Sequence, residues 1–148
     1  PRIVAAGYTY NQDNDKVTTN YAIDARIGHL VLQGSPEGEV PVVSPNTGLL
    51  RTVGALGVHS FDHASFDIDD VKNNAYLVTG RIGSTASRFY VVDLKTGQAK
   101  FIGQIGPDRE RDRLGTVLGL AVQPRVASIG GQCGVVSPPA CCSRHMLA

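Results

Sequence analysis

Tyr90-Val91-Val92-Asp93-Leu94-Lys95-Thr96-Gly97 leads from a β-branched apolar run through a polar turn to a glycine, and the chain writes this pattern more than once. Tyr21-Ala22-Ile23-Asp24-Ala25-Arg26-Ile27-Gly28 and Val42-Val43-Ser44-Pro45-Asn46-Thr47-Gly48 follow the same plan. In each, the glycine stands where a turn calls for positive φ and a second apolar run comes after it, so each reads as a β-hairpin. A lone hairpin cannot bury its apolar face. Its repetition therefore predicts stacked β-sheet modules.

Working outward, strand-like runs occupy Ile3–Tyr10, Asn20–Asp24, His29–Gln33, Val40–Val43, Leu49–Gly54, Ala64–Asp69, Ala75–Thr79, Arg88–Asp93, Ala99–Gly103 and Val117–Val122. Clusters such as Gln33-Gly34-Ser35-Pro36-Glu37-Gly38 and Gly83-Ser84-Thr85-Ala86-Ser87 separate them. No window carries a helical period, so the fold class is all-β.

A longer repeat overlays Ser87–Gly106 on Gly38–Gly57 at an offset of 49 residues, placing Thr96-Gly97 on Thr47-Gly48, Ile102-Gly103 on Val53-Gly54 and Ile105-Gly106 on Leu56-Gly57. Phe66-Asp67-Ile68-Asp69 matches Tyr21-Ala22-Ile23-Asp24 at 45, and Gly119-Leu120-Ala121-Val122 falls 54 residues after Ser65-Phe66-Asp67-Ile68. About four strands in such a period is the pattern of a propeller blade. A competing register sets Tyr21–Gly28 on Tyr90–Gly97 at 69; it is preferred because Ile3–Tyr10 then opens the first blade and Ala64–Asp69 the second. Both registers give a β-propeller-like repeat of four-stranded antiparallel sheets, about two and a half blades in residues 1–124, followed by an irregular cysteine-containing tail over 125–148. Propellers typically close with four or more blades. Self-association, or the missing remainder of the propeller, is the expected complement.

Bulk properties narrow the partners. The chain has 148 residues, enough for one domain with a core, and its 42% apolar and 18% charged content places it among folded β-rich domains. The net charge of +1 argues against a nucleic-acid partner, since general attraction to phosphates needs an excess of clustered basic residues. Arg109, Arg111 and Arg113 alternate with Asp108, Glu110 and Asp112 and so read as a solvated loop. No stretch approaches the roughly 20 apolar residues of a membrane-spanning helix. Pro1 in place of methionine fits a removed initiator, a cleaved leader or an excerpt alike.

Several residue sets carry candidate chemistry. Asn11, Asp13 and Asp15 alternate in one loop, a way of directing hard oxygen ligands at Ca²⁺, although Lys16 and Ala22 stand where an EF-hand needs glycine and a bidentate acid. A polar turn, with Asn and Asp bonding their own backbone, is the competing reading. Calcium is thus the only cofactor considered. His59, Asp62 and His63 would suit zinc if their loop folded back on itself, but as two exposed loop histidines they are weak ligand-binding candidates, and no metal is assigned to them. Tyr8 and Tyr10 share a face of an extended strand, a stacking shelf for sugars or bases, or else packing between blades. Asp67 and Asp69 lie two apart on one strand, where acids serve acid–base work or cap a turn. Cys133, Cys141 and Cys142 are an odd set; adjacent Cys141 and Cys142 are poor mutual partners, which leaves Cys133 with one of them, or three free thiols.

The succession Ala5-Ala6-Gly7-Tyr8-Thr9-Tyr10-Asn11-Gln12-Asp13-Asn14-Asp15, Thr18-Thr19-Asn20-Tyr21-Ala22-Ile23-Asp24, His29-Leu30-Val31-Leu32-Gln33-Gly34-Ser35-Pro36, Thr52-Val53-Gly54-Ala55-Leu56-Gly57-Val58, Ser65-Phe66-Asp67-Ile68 and Tyr90–Gly97 resembles a bacterial family carrying a domain of unknown function numbered 4394. The resemblance covers about residues 3–123 and implies a propeller-like, usually exported protein of the envelope or exterior, with no established activity. Members of that family are longer, so the resemblance places this chain at the C-terminal part of such a propeller.

The expectation from these readings is a non-enzymatic β-propeller-like binding or assembly module, extracellular or in the cell envelope, that self-associates. The alternatives are a hydrolase or lyase acting on a polysaccharide or ester, and a structural filament subunit built from open blade stacks.

Overall fold

Apolar runs make up most of the predicted strands, and the chain folds them into two antiparallel meanders. The computed structural model describes residues 1–14, 16–106 and 117–122. The cysteine-containing tail expected over 125–148, with Cys133, Cys141 and Cys142, lies outside the described residues, as does Asp15. The first blade is ordered β1 (Ile3–Tyr8), β2 (Asn20–Asp24), β3 (His29–Gln33) and β4 (Leu50–Ala55). The second is ordered β5 (His63–Ile68), β6 (Ala75–Gly80), β7 (Ser87–Val92) and β8 (Ala99–Ile105). The described protein is all-β, with a 3₁₀ turn at Pro45–Thr47 as its helical element.

The core is the seam between the blades. Ile23 and Leu30 pair across β2 and β3 and, with Leu56 just past β4, meet Phe66, Ile68, Ala75, Leu77, Tyr90 and Val92 of the second blade. Ile23, Leu30, Leu56 and Leu77 are fully buried, and each such side chain contributes on the order of 1.5–3 kcal/mol. β1 packs against β5, where Gly7 leaves room for the Phe66 ring and the Ile68 side chain. The main chain is joined across the seam as well: Ala99 N donates to the Leu56 carbonyl at 3.0 Å.

Each blade ends in a strand with the same irregularity. Leu30 pairs with Gly54 and Val31 with Thr52, which leaves Val53 as an extra residue; Phe89 pairs with Gly103 and Tyr90 with Phe101, which leaves Ile102 extra. A bulge bends its strand and sharpens the twist. Val53 and Ile102 are the residues that the 49-residue offset superposes, so the repeat is one of backbone geometry as well as of sequence.

The repeated sequence pattern proves to be a turn that serves different connections. Asp24 Oδ1 accepts from Arg26 N at 2.9 Å, Ser44 Oγ from Asn46 N at 3.2 Å and Asp93 Oδ1 from Lys95 N at 2.8 Å. Four residues after each acceptor, Gly28, Gly48 and Gly97 take φ of 65°, 71° and 81°. A fourth copy starts at Asp69, whose Oδ1 accepts from Val71 N at 3.0 Å and whose left-handed residue is Asn73 at φ 55°. Asn tolerates that region better than other side chains, which is why glycine could be dispensed with there.

Several expectations need correction. Val40–Val43 is not a strand: Val40 and Val42 are exposed, Pro41 has no N–H to give a ladder, and Val43 instead bonds Ser35, through Ser35 N to the Val43 carbonyl and Val43 N to Ser35 Oγ, both at 2.9 Å. The copy at Val42–Gly48 is therefore part of the long β3–β4 connection and not a hairpin. Tyr21–Gly28 closes β2 to β3 whereas Tyr90–Gly97 closes β7 to β8, so the 69-residue offset matches hairpins that are not equivalent, although β1 and β5 do open the two blades. Val117–Val122 is described without strand pairing. It lies on the second blade through side-chain acceptors, Val117 N to Ser87 Oγ at 3.2 Å and Val122 N to Asp67 Oδ2 at 2.6 Å. Two blades are thus complete. Residues 117–122, which the repeat assigns to the start of a third, form no strand.

Candidate functional site

Successive connections in a meander alternate between its two ends, and this assigns the expected site residues to different places. At one end the β1–β2 loop meets the β5–β6 turn: Tyr10 N donates to Asn73 Oδ1 at 2.7 Å, and Asn73 Nδ2 returns a bond to the Tyr10 carbonyl at 3.0 Å. Strand β1 stops at Tyr8, so Tyr10 lies beyond it and the two tyrosines do not form a shelf by strand alternation; both rings are exposed. Of the calcium candidates, Asn11 Oδ1 accepts from Asp13 N at 2.8 Å and Asn14 N at 3.1 Å, while the Asn11 amide donates to Glu37. That is the polar turn considered from the sequence. Among the described residues, no group of three or more His, Cys, Asp or Glu side chains is placed to hold a metal.

The turn carboxylates are held ionised by the backbone. Burial alone would raise the Asp24 carboxyl, but N–H donors of Arg2 and Arg26 outweigh it and leave the group below its ordinary value of 3.8. Asp69 follows the same balance, with burial opposed by Lys72 N, the Asn74 side chain, Val71 N and Asn74 N. At exposed Asp93 the Lys95 N–H and the Thr96 hydroxyl lower it directly. Asp67 and Asp69, the pair considered for acid–base work, are bonded to separate groups: Asp67 accepts from Ile68 N and Val122 N, and Asp69 closes its own turn.

At the opposite end the second blade opens a concavity of about 300 Å³. Its polar rim includes His59, Arg81, Arg88, Ser60 and Thr79, and among the described residues no carboxylate lines it. Arg88 Nη1 stands 3.4 Å from His59 Nδ1, and a guanidinium has only N–H groups to offer in such a contact. His63 is not part of this lining; it pairs with Gly80 in the ladder, and its Nε2 is buried without a partner among the described residues. The structure therefore separates the two histidines that sequence grouped. Arg81 and Arg88, the cavity's formal charges, were missed because scattered basic residues carry no motif.

The third place is the outer edge of the second blade. Phe101, Ile102 and Ile105 of β8 are all exposed large apolar residues, and Ile105 is 41% exposed where its repeat equivalent Leu56 is fully buried. Phe101 is held edge-on to Tyr90 with centroids 5.6 Å apart. Gly54 in the first blade lies so close to the β7–β8 turn that any Cβ would collide with the Thr96 carbonyl, whereas nothing described lies within 4 Å of a Cβ built on Gly103, its equivalent. Among the described residues, no helix is long and apolar enough to cross a membrane.

Comparison with known proteins bears on the whole of this arrangement. No curated protein and no solved structure matches the chain. A family model described as "Domain of unknown function (DUF4394)" matches residues 1–120, from the opening of β1 to the segment laid on Asp67, and the chain belongs to that family.

Proposed function

We propose that the chain is a non-enzymatic β-propeller-type binding or assembly module that works outside the cytoplasm and self-associates. The observation that carries this reading is the outer strand β8, whose Phe101, Ile102 and Ile105 are exposed, the last at the repeat position where the first blade buries Leu56. Large apolar side chains gathered on one sheet edge favour association over solvation. Placement outside the cytoplasm rests on the resemblance to exported bacterial proteins.

The concavity at the end of the second blade would supply the binding component. Two guanidinium groups, an imidazole and hydroxyls suit a small anionic or hydroxyl-rich ligand. A hydrolase or lyase would want a proton-transferring pair, and Asp67 and Asp69 are occupied by backbone donors.

Light scattering coupled to size exclusion, run across a concentration series, tests the assembly reading. The expected outcome is a mass that climbs above the 15.7 kDa of one chain. A single well-folded species of one-chain mass throughout would overturn it, and electron microscopy of the associated material separates a closed ring from an open filament.

A further inference from the structure

The seam between the blades is built from a socket and a plug, and the chain carries an unfilled copy of each. The socket is Gly54, beside the bulge at Val53; the plug is the Thr96-Gly97 turn, with Gly97 buried under the Gly54 carbonyl. The 49-residue offset gives the second socket as Gly103, beside the bulge at Ile102, and the second plug as Thr47-Gly48. Both plugs fold alike: Thr96 Oγ1 accepts from Gln98 N and Thr47 Oγ1 from Leu49 N, each at 3.3 Å, and both glycines are left-handed. Gly48 is exposed, and nothing described lies within 4 Å of a Cβ built on it or on Gly103.

We propose that the Thr47-Gly48 turn of one chain docks on the Gly103 socket of a second copy, head to tail, reproducing between chains the seam that Thr96-Gly97 and Gly54 form within one. The inference rests on the self-association reading and specifies its surfaces. Docking in this sense brings a plug to Ile105 as Thr96-Gly97 is brought to Leu56, whose carbonyl receives Ala99 N, so Ile105 gains the cover that Leu56 has. Socket and plug lie on different parts of the chain, so the contact is heterologous and each copy keeps one free surface for the next.

Two single variants test this without touching the fold. Gly103→Val puts a side chain into open space in the isolated chain, at a residue outside the left-handed region, but into the plug's position in the complex. Gly48→Asn keeps a residue that the same turn accommodates at Asn73, and adds a Cβ where Gly97 has only 2.7 Å to the Gly54 carbonyl oxygen. In sedimentation velocity at matched concentration, each variant is expected to run as one chain with unchanged circular dichroism, while an equimolar mixture forms a two-chain species through the surviving plug and socket. Association of Gly103→Val at wild-type level would overturn the head-to-tail contact while leaving self-association intact. Variants that stay single when mixed would also overturn it. A wild-type chain that never associates would remove the self-association reading itself.

Discussion

Gly97 lies under Gly54 so closely that a Cβ on Gly97 would stand 2.7 Å from the Gly54 carbonyl oxygen, and the two blades meet there main chain to main chain. Gly97 answers two demands at once, a left-handed φ of 81° and this lack of space, while Gly28 at φ 65° answers only the first. Gly28→Asn is therefore expected to change unfolding free energy by less than about 0.5 kcal/mol, and Gly97→Asn to cost about 1–3 kcal/mol through overpacking. Urea titrations of the pair check this, and equal losses would argue that conformation alone required glycine.

Asp69 gathers four donors, Val71 N, Lys72 N, Asn74 N and the Asn74 amide, into one turn. Removing its carboxylate strands these groups in a place where Asp69 itself is buried. Asp69→Ala is expected to cost about 1–3 kcal/mol, with Asp69→Asn recovering part of it because one acceptor oxygen remains. An alanine variant as stable as the asparagine variant would show that the turn does not depend on the acceptor.

Asp24, Asp69 and Asp93 all hold their carboxyls below the ordinary value of 3.8 in the folded chain. Their stabilisation is complete above the unfolded-state value and is lost as pH falls through the lower folded-state values. The melting temperature should be level between about pH 7 and pH 5 for these groups and drop below about pH 4. Asp24→Asn combined with Asp69→Asn should flatten that drop, and an undiminished drop would place the acid sensitivity elsewhere.

Asn73 joins the blades at the end away from the concavity by exchanging two hydrogen bonds with the Tyr10 backbone while holding φ at 55°. Asn73→Gly keeps the backbone and loses the exchange; Asn73→Ala loses the exchange and strains the backbone. The expected order of stability is wild type, glycine, alanine, with steps of about 1 kcal/mol each, read by thermal or urea unfolding. A glycine variant more stable than wild type would show that the bonds to Tyr10 contribute nothing net.

The blades were legible because apolar runs and turn chemistry are local. β2 and β3 stand at Asn20–Asp24 and His29–Gln33 as the sequence indicated, and the glycines of the three quoted copies are all left-handed. Equivalence between copies was less legible, since one turn serves the β2–β3, β5–β6 and β7–β8 hairpins and part of the β3–β4 connection. Its fourth copy escaped notice because Asn73 replaces glycine. Val40–Val43 misled by composition, as apolar residues around Pro41 cannot join a ladder. Residues 117–122 have a strand's sequence but bond to Ser87 and Asp67 side chains. The concavity was least legible of all, because Arg81 and Arg88 come to line it with His59 only through the folding of β6 and β7.

The most direct test of the repeated socket compares Gly54→Ala with Gly103→Ala by urea unfolding at concentrations low enough to keep the chain single. If the two glycines are one repeat position, filled in the first blade and open in the second, Gly54→Ala loses about 1–3 kcal/mol or more and Gly103→Ala stays within about 0.5 kcal/mol of wild type. Equal losses at the two positions would contradict it.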